Sequence, residues 1–359
     1  MMNKPKAGAP IGCFLVLGLV FVAPPLEAQS NADRTLASFK RLDDYPLYVM
    51  HYYGDYGFSE YLKSGVRMGS EPGRVGGAKV WSWACSCFSV HTRDGRVLVG
   101  RNFDWLEHPA LLLFTAPPGA FASVSMVDIS YLGFDRGAPS EKNRRQLLQA
   151  PFLPFDGLNE RGLAVTMMAV PHSEGGQDPK LITIDSLAVI RLLLDYAGTV
   201  DKAIDLLGDY NVVFGGGPPI HYFVADSSGD SAVIEFLDDE MRVLRGDKSF
   251  QVSTNFLLFP DPPQNNRTAC WRYNRIFETL SRTEGEFSPE EGMDLLRGVS
   301  QAGEHPTIWS CLYDLRAREV RIAMGRNYGR VHRLSLSDGG RPRQEGPHFR
   351  LAAGQFPFF

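Results

Sequence analysis

Basic excess, long apolar runs, cysteine pairs and familiar catalytic signatures are all scarce in this chain, and each scarcity excludes something. Lys and Arg number 37 against 41 Asp and Glu, a formal charge of -4 with no basic cluster, so nucleic acid is not an expected partner. The one long apolar run, residues 11–23, is too short to cross a bilayer comfortably. It follows Lys4 and Lys6 and precedes Pro24-Pro25 and Leu26-Glu27-Ala28, the three-part layout of an export signal with cleavage after Ala28. The expected segments are a signal peptide at 1–28, a pro-segment at 29–84 and a catalytic domain at 85–359 whose last stretch, 337–359, is a surface tail. The expected location is periplasmic or secreted. No Gly-x-Ser-x-Gly elbow, His-Glu-x-x-His pair, phosphate loop or internal repeat occurs.

Five cysteines are present, one of them (Cys13) inside the apolar run. Cys85, Cys87 and His91 are close in sequence, but an extended strand offers no Cys-x-x-Cys knuckle and no second pair lies at ligand spacing, so no metal and no cofactor is expected. With Cys85 as a free nucleophile, at most one disulfide forms among Cys87, Cys270 and Cys311.

Residues 29–84 contain a predicted helix at 32–41, an aromatic stretch at 45–53 and a glycine-rich joint at 69–77. Its aromatic residues need burial, which argues against a disordered tail. From residue 85 on, short strand patterns predict strands at 85–92, 97–102, 110–115, 123–128, 155–158, 164–169, 222–225, 231–236, 241–244, 250–254, 307–313, 319–323 and 329–334. Helices are predicted at 183–194, 200–207, 268–282 and 289–299, the last opened by Ser288 with Glu291 three residues on. Strands joined by short turns, interrupted by helices, indicate an α+β fold rather than a wound parallel sheet.

The chemistry concentrates at residues 84–105. Arg93-Asp94-Gly95-Arg96 separates two alternating runs, a hairpin signal that folds Arg101 and Asp104 back beside Cys85. A thiol beside a guanidinium is a reactive-cysteine environment, because the cation favours the thiolate. Read singly, Arg101 and Asp104 are also an ordinary ion pair and Asn255 a turn residue.

Cys85-Ser86, with Gly100-Arg101-Asn102-Phe103-Asp104 on the next strand, resembles the start of the mature chain in the cysteine N-terminal nucleophile hydrolases. These are the linear-amide hydrolases that include bile salt hydrolases, penicillin V acylases, acid ceramidase-like amidases and the fungal penicillin acyltransferase. Gly157-Leu158-Asn159-Glu160-Arg161-Gly162-Leu163, the block from His221 to Glu235, and Val252-Ser253-Thr254-Asn255-Phe256 are similar to further family elements in the same order. The resemblance implies two antiparallel sheets stacked between helical layers, an αββα sandwich.

The resemblance also implies self-cleavage between Ala84 and Cys85. The freed α-amine of Cys85 then serves as base while its thiol attacks the amide of a small N-acyl substrate, and water cleaves the thioester. Arg101 lowers the thiol pKa, Asp104 receives the α-ammonium and Asn255 donates to the oxyanion. The family's late arginine on a C-terminal strand has no clean match here; Arg321 and Arg326 both stand near that place, and Arg321 is taken as the candidate. Ala169 stands where bile salt hydrolases carry a second oxyanion asparagine, which leans toward the acyltransferase and ceramidase-like branch. The pro-segment is expected to stay bound. An acyltransferase on the same site, or an exported binding protein that lost catalysis, are the alternatives. His51, His91 and His221 read as strand or surface histidines, and Trp105, Phe114, Phe152, Phe155 and Tyr210 as candidates for an apolar acyl pocket.

Overall fold

A computed structural model of the chain describes residues 30–65, 84–134, 139–140, 143–214, 217–246, 249–259, 270–284 and 286–337. The expected signal segment, the glycine-rich joint and the tail from 338 lie outside the described residues.

The architecture is α+β, with two stacked sheets between helices, as the resemblance implies. The larger sheet has nine strands in the spatial order Lys40–Asp43, Leu47–Tyr52, Ala110–Thr115, Ser123–Asp128, Pro154–Asn159, Ala164–Ala169, Ile220–Ala225, Ser231–Leu237 and Glu240–Arg245. The smaller has six, in the order Phe250–Ser253, Ala84–His91, Val97–Asp104, Thr307–Asp314, Glu319–Met324 and Val331–Ser335. Pairing is antiparallel throughout both sheets except between Leu47–Tyr52 and Ala110–Thr115, which run parallel. Helices Ser186–Tyr196 and Val200–Gly208 cover the larger sheet, and Trp271–Arg282 and Pro289–Gly298 the smaller. Both faces of most strands are therefore buried, and the strands read as apolar runs instead of clean alternation.

Local chemistry explains several boundaries. Asp185 caps Ser186–Tyr196 through the amides of Leu187 and Ala188. Ser288 and Glu291 form the expected reciprocal capping box. Gly162 turns the Asn159–Leu163 hairpin at a φ of 86°, where a side chain would be strained. Asn159 accepts from the amides of Arg161 and Leu163 and donates to the carbonyls of Leu194 and Ala197, so this block ties a hairpin to a helix end.

Two differences from the expected elements matter. The helix predicted at 32–41 ends at Ser38, and residues 40–43 turn into a strand. The aromatic stretch at 45–53 contains another strand, Leu47–Tyr52, inside the nine-stranded sheet. The segment preceding Cys85 is therefore part of the main core: Leu47 and Met50 are completely buried.

Candidate active site

Cys85 lies second in its strand, directly opposite Phe103, while Cys87 faces Arg101. Side chains alternate along a strand, so Cys85, Cys87, Arg101 and Phe103 share one face. That face looks into the space between the sheets: Arg101 Nη1 donates to the Phe155 carbonyl at 2.7 Å and to Asp156 Oδ2 at 2.6 Å on the other sheet. Arg101 Nη2 stands 4.0 Å from Cys85 Sγ. Gly100 is required by packing, because a Cβ there would fall 2.3 Å from the Phe88 ring.

Asp104 approaches from the opposite side of its strand. Its carboxylate accepts from the Thr307 hydroxyl at 2.6 Å, from Gln301 Nε2 at 3.0 Å and from Arg272 Nη1 at 3.4 Å. Burial pushes this carboxyl up to about 6, against the pull of Arg272 and of these hydrogen bonds.

Asn255 enters from the third side. The strand Phe250–Ser253 pairs with the Cys85 strand as far as Ser253 opposite Cys87. Continuing that register brings Asn255 level with Cys85, where a side chain replaces the backbone ladder: Asn255 Oδ1 accepts the Cys85 amide at 2.5 Å. Oδ1 also accepts from Arg272 Nη2 at 3.1 Å, and Nδ2 donates to the Ala169 carbonyl at 2.8 Å. Donors on one side and an acceptor on the other fix the amide's orientation.

The structure revises several expectations. In this uncut chain the peptide nitrogen of Cys85 donates to Asn255 Oδ1, which leaves the role of Asp104 toward a freed α-ammonium untouched. One Asn255 donor is engaged with Ala169, whose contribution is a carbonyl acceptor and not a donor. The cation effect of Arg101 on Cys85 is present, and Arg272 adds to it, but burial and Asp104 outweigh both and the thiol pKa is raised. Arg321 is not at the site. Its strand places it against Glu290, with Nη1 to Oε1 at 2.7 Å, and near Glu319 at 3.7 Å, because it points to the helix Pro289–Gly298.

Arg272, which the sequence did not single out, is at the site. Its Nη1 reaches the Cys85 carbonyl at 2.5 Å. The signal was available: Arg272, Ile276 and Leu280 form one buried stripe of an amphipathic helix, so a charge stands at a core position. Asp156 was missed for a related reason. It is a charge inside an entirely buried strand, accepting from Arg101, from Trp309 Nε1 at 3.1 Å and from the Tyr313 hydroxyl.

All four described cysteines are free. Cys87 and Cys311 flank Arg101 in register across three strands. Burial drives the Cys87 thiol up to about 12 and Cys311 well above its ordinary range, so both are poor nucleophiles. Among the described residues no cluster could hold a metal ion.

Of the candidate pocket aromatics, Phe155 lies at the cluster. It meets Phe103 edge-on at 5.4 Å and Tyr131 at 5.5 Å, and Phe103 stacks on Trp309 at 4.1 Å. Tyr131 is 38% exposed, so the series runs from the surface to the residue opposite Cys85. Phe114 and Phe152 instead pack on His51, Tyr56, Phe58 and Tyr61 of the preceding segment. Trp105 stacks on His305, and Tyr210 lies in a separate two-stranded ribbon.

Residues 85–259 match the family model described as linear amide C–N hydrolases, choloylglycine hydrolase family. Penicillin V acylase of Pectobacterium atrosepticum is 32% identical over 115 residues, a match spanning 29% of this chain and 30% of that protein. Among solved structures, a mutant of conjugated bile acid hydrolase from Clostridium perfringens aligns with a TM-score of 0.54 at 14% identity, covering 73% of this chain and 97% of that one. Penicillin V acylase from Agrobacterium tumefaciens aligns with a TM-score of 0.50 at 17% identity, covering 70% and 86%.

Proposed function

Because the chain belongs, through residues 85–259, to the linear amide C–N hydrolases of the choloylglycine hydrolase family, we propose that it is an exported amidase that activates itself by cutting between Ala84 and Cys85. The observation that carries this reading is the junction itself. The Cys85 thiol stands 4.0 Å from Arg101 Nη2, Arg272 binds the carbonyl of the same residue, and its nitrogen already donates to Asn255 Oδ1.

In the uncut chain Cys85 Sγ attacks the Ala84 carbonyl carbon. The Ala84–Cys85 C–N bond breaks, the nitrogen leaves as an amine, and water hydrolyses the resulting thioester to an Ala84 carboxylate and a free thiol. The new α-amine, with a reference pKa of about 8, is a general base attached to its own nucleophile. It keeps Asn255 Oδ1 as an acceptor, with Asp104 close by to balance the ammonium form.

For an external substrate, Cys85 Sγ attacks the amide carbonyl. The departing amine takes the proton from the α-ammonium, and water then releases the acid. The Asn255 side-chain amide has two N–H donors. One bonds Ala169, and the second is assigned to the oxyanion, a role worth about 3 kcal/mol in acyl-transfer enzymes. Arg272, which already binds the Cys85 carbonyl, orients this end of the strand. The series Tyr131, Phe155 and Phe103 favours an apolar acyl group.

Intact mass and N-terminal sequencing of the purified protein beside Cys85→Ala test this first. Two chains, one beginning at Cys85 and absent from the variant, are expected; a single uncut chain with Cys85 internal overturns the reading. Turnover of N-acyl amides should rise with acyl length, and a flat or falling profile excludes the apolar pocket.

A further inference from the structure

His221 and Glu235 are both completely buried, yet neither touches Cys85, Arg101 or Asp104 in any described contact. They lie on adjacent strands of the larger sheet, Ile220–Ala225 and Ser231–Leu237, and reach across the sandwich to the smaller one. His221 Nδ1 meets Glu235 Oε1 at 2.9 Å. His221 Nε2 stands 2.9 Å from the Thr254 carbonyl and 3.2 Å from the Ser253 hydroxyl. A carbonyl only accepts, so Nε2 is the donor toward Thr254. Glu235 also accepts the Leu258 amide at 2.7 Å on Oε1 and the Phe259 amide at 3.1 Å on Oε2.

Every one of these backbone contacts falls on one short stretch, residues 253–259, and the stretch contains Asn255. Here the strand has left the ladder, since its pairing ends at Ser253 opposite Cys87. A chain leaving a sheet loses the hydrogen bonds that fix its position. The carbonyl before Asn255 and two amides after it are instead bound by a buried imidazole and a buried carboxylate.

We propose that His221 and Glu235 form a positioning dyad that sets the height of Asn255 against the Cys85 nitrogen. The catalytic consequence rests on the proposed amidase reading; the positioning itself does not. Neither residue touches substrate. They act through Asn255, because a displacement of its loop by a fraction of an ångström breaks the contact to the Cys85 nitrogen and moves the oxyanion donor.

The test uses the full chain in two forms. In the uncut Cys85→Ala protein, amide hydrogen exchange by NMR reads the N–H of residue 85 directly, whether or not the protein is an enzyme. Adding Glu235→Gln, which keeps the shape but presents an amide where two oxygens accepted, should speed exchange at residues 258 and 259. It should also speed exchange at residue 85 by about tenfold, the size of one lost hydrogen bond. His221→Gln should do the same at residue 85.

Faster exchange at 258 and 259 with residue 85 unchanged overturns the proposal. So does a general loss of protection in both variants, since the pair then serves only the fold. With Cys85 present, both variants should lower kcat at least about tenfold with KM nearly unchanged, the pattern of a lost transition-state contact. If the wild-type chain cleaves neither itself nor any amide, the proposed function falls, while the exchange arm still decides on the dyad.

Discussion

Arg101 and Arg191 are both completely buried arginines paired to buried carboxylates, and they serve different ends. Arg101 bridges the two sheets to Asp156, which is in turn held by Trp309 and Tyr313. Arg191 pairs within one helical turn to Asp195 at 3.0 Å, and its guanidinium lies 5.7 Å from the ring centroid of Tyr56. Tyr56 also donates to Asp195 at 2.6 Å. The first pair carries its charge to within reach of the Cys85 thiol. The second, in the outer helical layer, is capped by an aromatic residue from the segment before Cys85. Burial of an ion pair therefore does not by itself identify the site; what the remaining face of the cation touches does.

The sharpest way to break this comparison is to remove each cation. Arg101→Met leaves Asp156 buried without its counter-charge and should cost about 3–5 kcal/mol of stability. It should also abolish self-cleavage in whatever fraction folds, measured by denaturant unfolding and intact mass. Arg191→Met should cost a similar amount, but turnover per folded molecule should persist. Replacing the second pair outright, Arg191→Met with Asp195→Leu, should recover most of that loss, whereas the same exchange at Arg101 and Asp156 should not restore cleavage. Cleavage by the Arg101→Met protein would erase the distinction.

A third buried cation, Arg272, sharpens it through pH. Burial lifts the Asp104 carboxyl to about 6 despite Arg272, whereas an unfolded aspartate titrates near about 3.9. Between those values the folded chain holds a proton the unfolded chain has released, so stability from this group is present at low pH and is lost as pH rises through about 6. The gap corresponds to about 3 kcal/mol. Urea unfolding of the uncut Cys85→Ala protein at pH 4 and pH 7 should show about 2 kcal/mol of it, and Asp104→Asn should remove it; an equal pH dependence in the two proteins would contradict it. The smallest effect belongs to Tyr56→Phe, which strips one hydrogen bond from Asp195 and should cost about 1–2 kcal/mol in thermal or urea unfolding, with cleavage intact.

The strand that carries Cys85 and the hairpin that returns Arg101 and Asp104 were legible because alternation and a glycine turn are local signals. Ser288 with Glu291 was legible for the same reason. Arg272, Asp156 and the dyad were not, because their meaning lies in contacts between distant parts of the chain. Arg272 stands 187 positions from Cys85 along the sequence; its helix marks it as a buried charge, but nothing near it in the chain names Cys85 as its partner. Arg321 looked better placed only because it stood on a strand; register directs its side chain to Glu290. Leu47–Tyr52 escaped notice as a strand because burial on both faces erases the alternation that marks half-exposed strands.

That parallel strand has a consequence for the life of the molecule. It lies one place in from the rim of the nine-stranded sheet, with Lys40–Asp43 outside it and Ala110–Thr115 inside. Once the proposed cut is made, it belongs to a separate polypeptide. A tethered strand finds its slot at an effective concentration in the millimolar range, whereas a released one has only its bulk concentration. Folding of the uncut chain is unimolecular, but reassembly after the cut is bimolecular and fails on dilution. An active form made by that cut would be assembled once, its persistence governed by how slowly it opens and not by an equilibrium it can return to.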